Sequence, residues 1–237
     1  MNSSLEKARK ETTDYHEQYY GDHELFEKGS WLSEPDYELN NVIELLKPVK
    51  SPEILDIGAG VGRNAISLAL KLTENRPLIT CIDSLPSATE KLLQYATKYK
   101  VESSIKARTE DMDSMEIEPE YYDCILSVSV LEHSASYDIM INTIEKIKKG
   151  TNCDGINRLT FSTDRTVKSL ETGMIIESPV ETILSREILM KDLERLYSNW
   201  EILLLDTIDY DENLDRKGEK VNWKSSDLSF LARKKQN

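Results

Sequence analysis

The sequence predicts an α/β protein: a mostly parallel seven-stranded sheet with one antiparallel strand and helices on both faces. Three observations predict it. Short apolar runs alternate with helix-period segments from Glu53 to Ser162. The run Tyr122–Val130 is apolar nearly throughout, as a strand buried on both faces should be. Two late strand-like runs, Trp200–Asp206 and Asp227–Ala232, are joined by a charged loop, so they are expected to be antiparallel neighbours.

The elements follow in order. Ser3 to Tyr20 reads as a helix, polar and aromatic, leading into a loop. Pro35 sits where a first helical turn would begin, with Ser33 as its cap. Tyr37, Val42, Ile43, Leu45 and Leu46 give that helix an apolar face, and Pro48 stops it. Glu53–Ile57 is the first strand, and Gly58 to Gly62 is a loop. A helix over Asn64–Leu72, a strand over Leu78–Asp83 and a helix from Pro86 to about Tyr99 come next. Ser104–Arg108 is a weaker strand and Tyr122–Val130 a strong one. Tyr137–Lys149 is a helix with Ile139, Met140, Ile144 and Ile147 on one side. Ile156–Ser162 is the fifth strand, and a helix over Ser185–Leu196 precedes the two late strands.

Bulk properties narrow the function. A chain of 237 residues suits one domain of ordinary size. The net charge of −13 repels phosphate backbones, so nucleic acid is not an expected partner, although a few local Lys and Arg can still hold a small anion. Met1 to Glu17 is charged throughout, so no signal peptide is expected, and no apolar stretch approaches membrane-span length. Cys81, Cys124 and Cys153 form no C-x-x-C pair and have no His cluster beside them, so neither a disulfide frame nor a metal site is expected. Cys81 and Cys124 fall in apolar strand runs and read as core residues. These features fit a reduced, cytoplasmic protein, monomeric or homodimeric.

The chemistry concentrates at the strand ends. Asp56 closes the first strand, and Gly58, Gly60 and Gly62 follow. Glycine there lets a ligand approach the backbone and the N-terminus of the next helix. The dinucleotide spacing G-x-G-x-x-G would need glycine where Arg63 stands. The spacing G-x-G-x-G, with an acid two positions earlier, instead resembles motif I of the class I methyltransferases that use S-adenosylmethionine (SAM). Asp83 ends the second strand, where a carboxylate can accept from both hydroxyls of a ribose. The run Thr109-Glu110-Asp111-Met112-Asp113-Ser114-Met115 resembles the family's adenine-binding turn. By that resemblance Asp111 accepts from the adenine amino group and Met112 flanks the ring, with Glu110 the competitor for the first role. The fourth strand and its Leu131-Glu132-His133 end also resemble this family, with residues near Ser127 to Ser129 at the methionine end of SAM. The resemblance thus implies a Rossmann-like class I methyltransferase fold. Its cofactor set is Asp56, Gly58, Ala59, Gly60, Gly62, Arg63, Asp83, Ser84, Glu110, Asp111, Met112, Ser127 and Val128.

The acceptor side is less defined. His133 reads either as a group that orients an acceptor or takes its proton, or as a residue that caps or packs at a helix start. Tyr15, Tyr19, Tyr20 and Trp31 read either as an aromatic lid suited to a sulfonium cation or as edge packing. Residues 1–47 are accordingly a helical lid or extension, and 48–237 the SAM-binding domain, in one structural unit. No Asn/Asp-Pro-Pro-Tyr run and no Pro-Cys nucleophile follow the fourth strand, which points away from nucleobases and toward a small-molecule acceptor. Glu171-Thr172-Gly173, Tyr197 to Leu203 and Phe230 to Lys234 resemble the tellurite-resistance methyltransferases, which implies a metalloid oxyanion acceptor. In that comparison Arg216 and Lys220 stand for two family arginines, while Asp215 replaces a histidine; a solvated hairpin tip is the other reading. A non-catalytic SAM-binding regulatory module is the alternative to an enzyme.

Overall fold

The computed structural model describes residues 3–176, 181–216 and 218–235. Helix α1 (Ser3–Asp22) and α2 (Leu39–Leu46) precede β1 (Glu53–Ile57), α3 (Arg63–Lys71), β2 (Leu78–Asp83), α4 (Pro86–Lys98) and β3 (Ile105–Thr109). Then come β4 (Tyr122–Val128), α5 (Tyr137–Gly150), β5 (Thr151–Ser169), the two-residue β6 (Ile175–Ile176), α6 (Arg186–Leu196), β7 (Trp200–Arg216) and β8 (Glu219–Lys234).

The strands order as β3-β2-β1-β4-β5-β8-β7, with β6 beside β5. The β1–β2, β2–β3, β1–β4 and β4–β5 pairs are parallel. Strand β8 runs antiparallel to both β5 and β7, as the sequence predicts for one strand. Side chains on a strand alternate between faces. Ile54, Cys124 and Leu126 therefore join one core with Val42, Leu68 and Leu92. Leu55, Ile57 and Ile125 join a second core with Met140, Ile144 and Leu189. The chain order reverses between β1 and β4. Such a switch point opens a crevice beyond the carboxyl ends of the strands.

Several expectations need correction. Helix α2 starts at Leu39, not at Pro35. Asp36 is engaged elsewhere: its N–H donates to Asn64 Oδ1 at 2.8 Å, and its carboxylate accepts from Glu38 N–H at 3.1 Å. Strand β4 stops at Val128 because Ser129 takes φ +55° and turns its N–H to Thr160 Oγ1 at 2.8 Å. The charged segment after Asp206 is not a loop. It is the outer half of a hairpin whose pairing continues to Arg216↔Glu219. Cross-strand groups support it there: Lys224 Nζ meets Asp211 Oδ2 at 2.6 Å, and Asn222 Nδ2 meets Asp211 Oδ1 at 2.8 Å. Strand β5 is correspondingly longer than Ile156–Ser162, because β8 pairs with it as far as Ser169↔Val221. Cys81 and Cys124 are buried, as expected of core residues.

Candidate active site

Beyond the ends of β1, β2 and β4 lies a cavity of about 610 Å³. Small-ligand sites usually span roughly 300–1,000 Å³. Its floor is the loop after β1. Gly58 and Gly60 have φ of +68° and +54°, values that favour glycine. A Cβ on Gly58 would stand 2.2 Å from Val130 Cγ2, and one on Gly60 would stand 2.5 Å from Tyr20 Oη. The loop is pinned to the end of β2, since the N–H groups of Gly58 and Ala59 donate to the Ile82 carbonyl at 2.7 and 3.0 Å.

Asp83 sits beside this floor. Its Oδ2 accepts from Gly60 N–H at 2.8 Å and its Oδ1 from Leu85 N–H at 2.9 Å. Burial nevertheless holds its pKa above the ordinary carboxylate value. Each oxygen keeps a further lone pair, so a diol can still be accepted. Ser84, Glu110, Asp111 and Met112 continue the wall. The Glu110 carboxylate is paired with Arg108. Asp111 holds the Asp113 N–H at 2.9 Å and lies 3.6 Å from Arg9. Gly58, Ala59, Gly60, Arg63 and Val128 also line the cavity, so most of the sequence-named set converges there.

Three residues of that set lie behind the lining. The Asp56 carboxyl is buried against the start of α3, where Ala65 N–H reaches it. Burial pushes its pKa up to about 7. Ser127 is fully buried on β4, and Gly62 leads into α3 against Leu92 and Ile66. Of the two hairpin residues, Lys220 is not among those that line the cavity. Lys220 pairs with Asp215 at the hairpin end and its carbonyl accepts Leu170 N–H at 2.9 Å. The backbone of Arg216 pairs with Glu219, and its side chain lies outside the described residues.

The opposite wall comes from α1 and the segment after it. Thr12, His16 and Tyr20 recur every four residues and face the cavity, with Arg9 and Tyr15 beside them. Trp31 stacks on Tyr19, ring centroids 5.0 Å apart, and donates its N–H to Tyr19 Oη at 3.1 Å. Tyr15, Tyr20 and Trp31 line the cavity; Tyr19 supports them from behind. Arg63 Nη1 donates to the Trp31 and Glu34 carbonyls at 3.1 and 3.2 Å. His133, at the end of a short 3₁₀ turn, places Nδ1 2.7 Å from Glu181 Oε2.

Ser129 lines the cavity, as the sequence reading of Ser127 to Ser129 expects, whereas Thr12, His16, Asn64, Val130 and Glu181 were missed as cavity residues. The four-residue spacing of Thr12, His16 and Tyr20 was the available signal for α1. Glu181 carried none, since it meets His133 across a separation of 48 residues.

Comparison with known proteins agrees with this geometry. Residues 54–155 match a family described as a methyltransferase domain. The fold resembles TehB from Haemophilus influenzae, at TM-score 0.63 and 21% identity over 83% of this chain and 62% of that one. It also resembles a SAM-dependent methyltransferase from Methanosarcina mazei, at TM-score 0.56 and 16% identity over 79% and 94% of the two chains. A third likeness is phosphoethanolamine N-methyltransferase 1 from Haemonchus contortus, at TM-score 0.63 and 14% identity over 100% and 50%. A search of curated proteins finds no match. The chain has the class I methyltransferase fold. A SAM-dependent methyltransferase is among the solved structures that share this fold. Among the described residues no helix is long and apolar enough to cross a membrane, and no cluster of metal-ligating side chains occurs.

Proposed function

We propose that this protein transfers the methyl group of SAM to a small-molecule acceptor. The observation that carries this reading is the single cavity shared by the glycine floor, Asp83, Asp111 and Met112 on one side and His133, Tyr15, Tyr20 and Trp31 on the other. In this reading Gly58 to Gly60 and Asp83 hold the methionine part and the ribose, while Asp111 and Met112 hold the adenine. SAM supplies a methyl already activated by a positive sulfur. The protein's work is then alignment and exclusion of water, worth roughly 7–11 kcal/mol in favourable cases.

Helix α1 and the segment to residue 47 act as the lid of this site. Tyr20 is buried over the glycine floor, and the Tyr15 and Trp31 faces suit a cation. The Haemonchus protein was solved with phosphoethanolamine and S-adenosylhomocysteine, which supports a small polar acceptor beside the cofactor.

A metalloid oxyanion such as tellurite is the finer acceptor reading, and it rests on the tail's family resemblance. Of the two arginines that line the cavity, one is paired with a carboxylate and the other is tethered but keeps its charge. Arg9 is held by Asp113 at 2.8 Å and Arg63 by two backbone carbonyls. The deciding experiment is calorimetry with SAM and with NAD, followed by S-adenosylhomocysteine release against tellurite, selenite, amines, thiols and phenols. NAD binding without SAM binding would sink the reading. SAM binding without turnover on any acceptor class would favour the regulatory module.

A further inference from the structure

We propose that His16 is the catalytic base of this site, taking the proton from an acceptor whose attacking nitrogen or oxygen carries one. The inference rests on the methyl-transfer reading above and deepens it. The His16 Nδ1 lies 3.0 Å from the Thr12 carbonyl, which can only accept. Nδ1 therefore carries the proton, and Nε2 keeps its lone pair. The ring lines the cavity together with the glycine floor and Asp83. Tyr20, four residues on, places its ring 5.6 Å away, and Trp31 meets the imidazole edge-on at 6.3 Å.

The His133 ring stands across from it at 6.5 Å and 87°. Its Nδ1 faces the Glu181 carboxylate, whose side chain is 3% exposed. That partner fixes the proton on Nδ1 and turns the other nitrogen outward. Glu181 is thus a positioning residue acting through His133. Two imidazoles with fixed Nδ1 protons face one another beside the cofactor floor.

The electrostatic surroundings keep His16 able to accept. Burial is the largest influence and lowers its pKa; His133 lowers it further, while the Thr12 carbonyl, Asp83 and Glu181 oppose. Tyr15 and Tyr20 from its own helix are further titratable neighbours, and burial raises both phenol pKa values. A neutral imidazole is therefore present near pH 7. In the step, the acceptor's proton goes to Nε2 and its freed lone pair forms the bond to the methyl carbon. The old bond pair stays on sulfur, and the imidazolium then gives its proton to water. An oxyanion attacks with a lone pair that needs no deprotonation, so His16 separates the two acceptor classes.

The test begins with histidine ¹⁵N–¹H correlation spectra, tractable because the chain holds three histidines. His16 is expected as the Nδ1–H tautomer, titrating below the ordinary histidine value, and Glu181→Gln is expected to move the His133 signals. The Nε2–H tautomer at His16 would overturn the proposal whether or not an acceptor is in hand. Methyl transfer is then followed with tyramine, which offers an amine and a phenol, and with selenite. His16→Asn keeps a donor for Thr12 without the base, and His16→Gln is the second variant. Both are expected to lower kcat/KM for tyramine by roughly 10²–10⁴-fold. The acidic limb of the pH profile should go, with SAM affinity by calorimetry within about threefold of wild type. A retained limb, or turnover of selenite alone, counts against His16 as the base. Absent SAM binding in the wild type would instead remove the underlying reading.

Discussion

The Asp36 carboxylate and the Arg158 guanidinium meet at two points inside the protein, with Nε and Nη2 each 2.8 Å from a different oxygen. The side chains are 3% and 0% exposed. Arg158 lies on β5, and its Nη1 also donates to Ser229 Oγ at 2.8 Å on β8. Asp36 lies in the segment between Trp31 and α2. The pair thus fastens the wall that carries Trp31 to the middle of the sheet. Breaking a buried pair by removing one partner typically costs about 3–5 kcal/mol, because the other charge is stranded. Asp36→Ala and Arg158→Ala should each lose stability of that order in urea unfolding. The double variant should lose less than the sum, since neither charge remains. Additive losses would mean that the pair is not coupled.

Gly58 is expected to reject a side chain for a reason that a second substitution can relieve. An alanine there would take φ near +68° and press its Cβ onto Val130. Strain of this kind costs about 1–3 kcal/mol, and overpacking adds a similar amount. Gly58→Ala should therefore unfold at lower urea. Val130→Ala in the same chain should restore most of the part due to the clash, since it removes the atoms 2.2 and 2.5 Å away and leaves the Val130 Cβ at 2.9 Å, and should leave the backbone part. No recovery in the double variant would show that backbone conformation alone sets the cost.

These two relationships also mark where sequence reading stops. Strands β1 and β2 were legible to the residue because apolar runs end sharply at Asp56-Ile57-Gly58 and at Asp83-Ser84. The glycine loop was legible because its spacing is local. The Asp36–Arg158 pair joins positions 122 residues apart, and no local pattern announces it. The outer hairpin was illegible for a different reason. Residues 209 to 214 are exposed on both faces, so they lack the alternation that marks a half-buried strand. His16 was hidden among tyrosines that read either as an aromatic lid or as edge packing. Its importance comes from facing His133, which only the fold brings near.

Asp56 should write its burial into the pH dependence of stability. Its pKa in the folded protein is pushed up to about 7 by burial, with Arg63 acting in the opposite sense. An unfolded aspartate titrates near about 3.9. The folded state therefore holds the proton more tightly. The carboxyl's contribution is fully present below about pH 4 and is lost as pH rises through about 7. Each unit of difference corresponds to about 1.4 kcal/mol, so the loss is a few kcal/mol in all. Urea unfolding of the wild type and of Asp56→Asn across this range should show the wild type falling relative to the variant, then running level above it. Parallel curves throughout would mean that Asp56 stays ionised beside Arg63.

Asp83 gives the sharpest test of the cofactor side, because binding and folding should respond to pH in opposite directions. Burial raises its pKa, so its contribution to folding is present below the unfolded value and is lost as pH rises through the folded one. Its ability to accept from a ribose needs the ionised form and grows over that same rise. SAM affinity should therefore weaken as pH falls through the raised pKa, while this carboxyl's share of stability recovers. Asp83→Asn removes the charge, keeps the shape and turns an amide toward Gly60 N–H or the cavity. Hydrogen bonds to charged groups are worth about 1.5–3 kcal/mol, which is roughly a 10–150-fold change in Kd. Calorimetry should show a loss of that order together with a flattened pH dependence of binding. Unchanged affinity would remove Asp83 from the ribose role. A large loss that keeps the wild-type pH dependence would assign that dependence to another group.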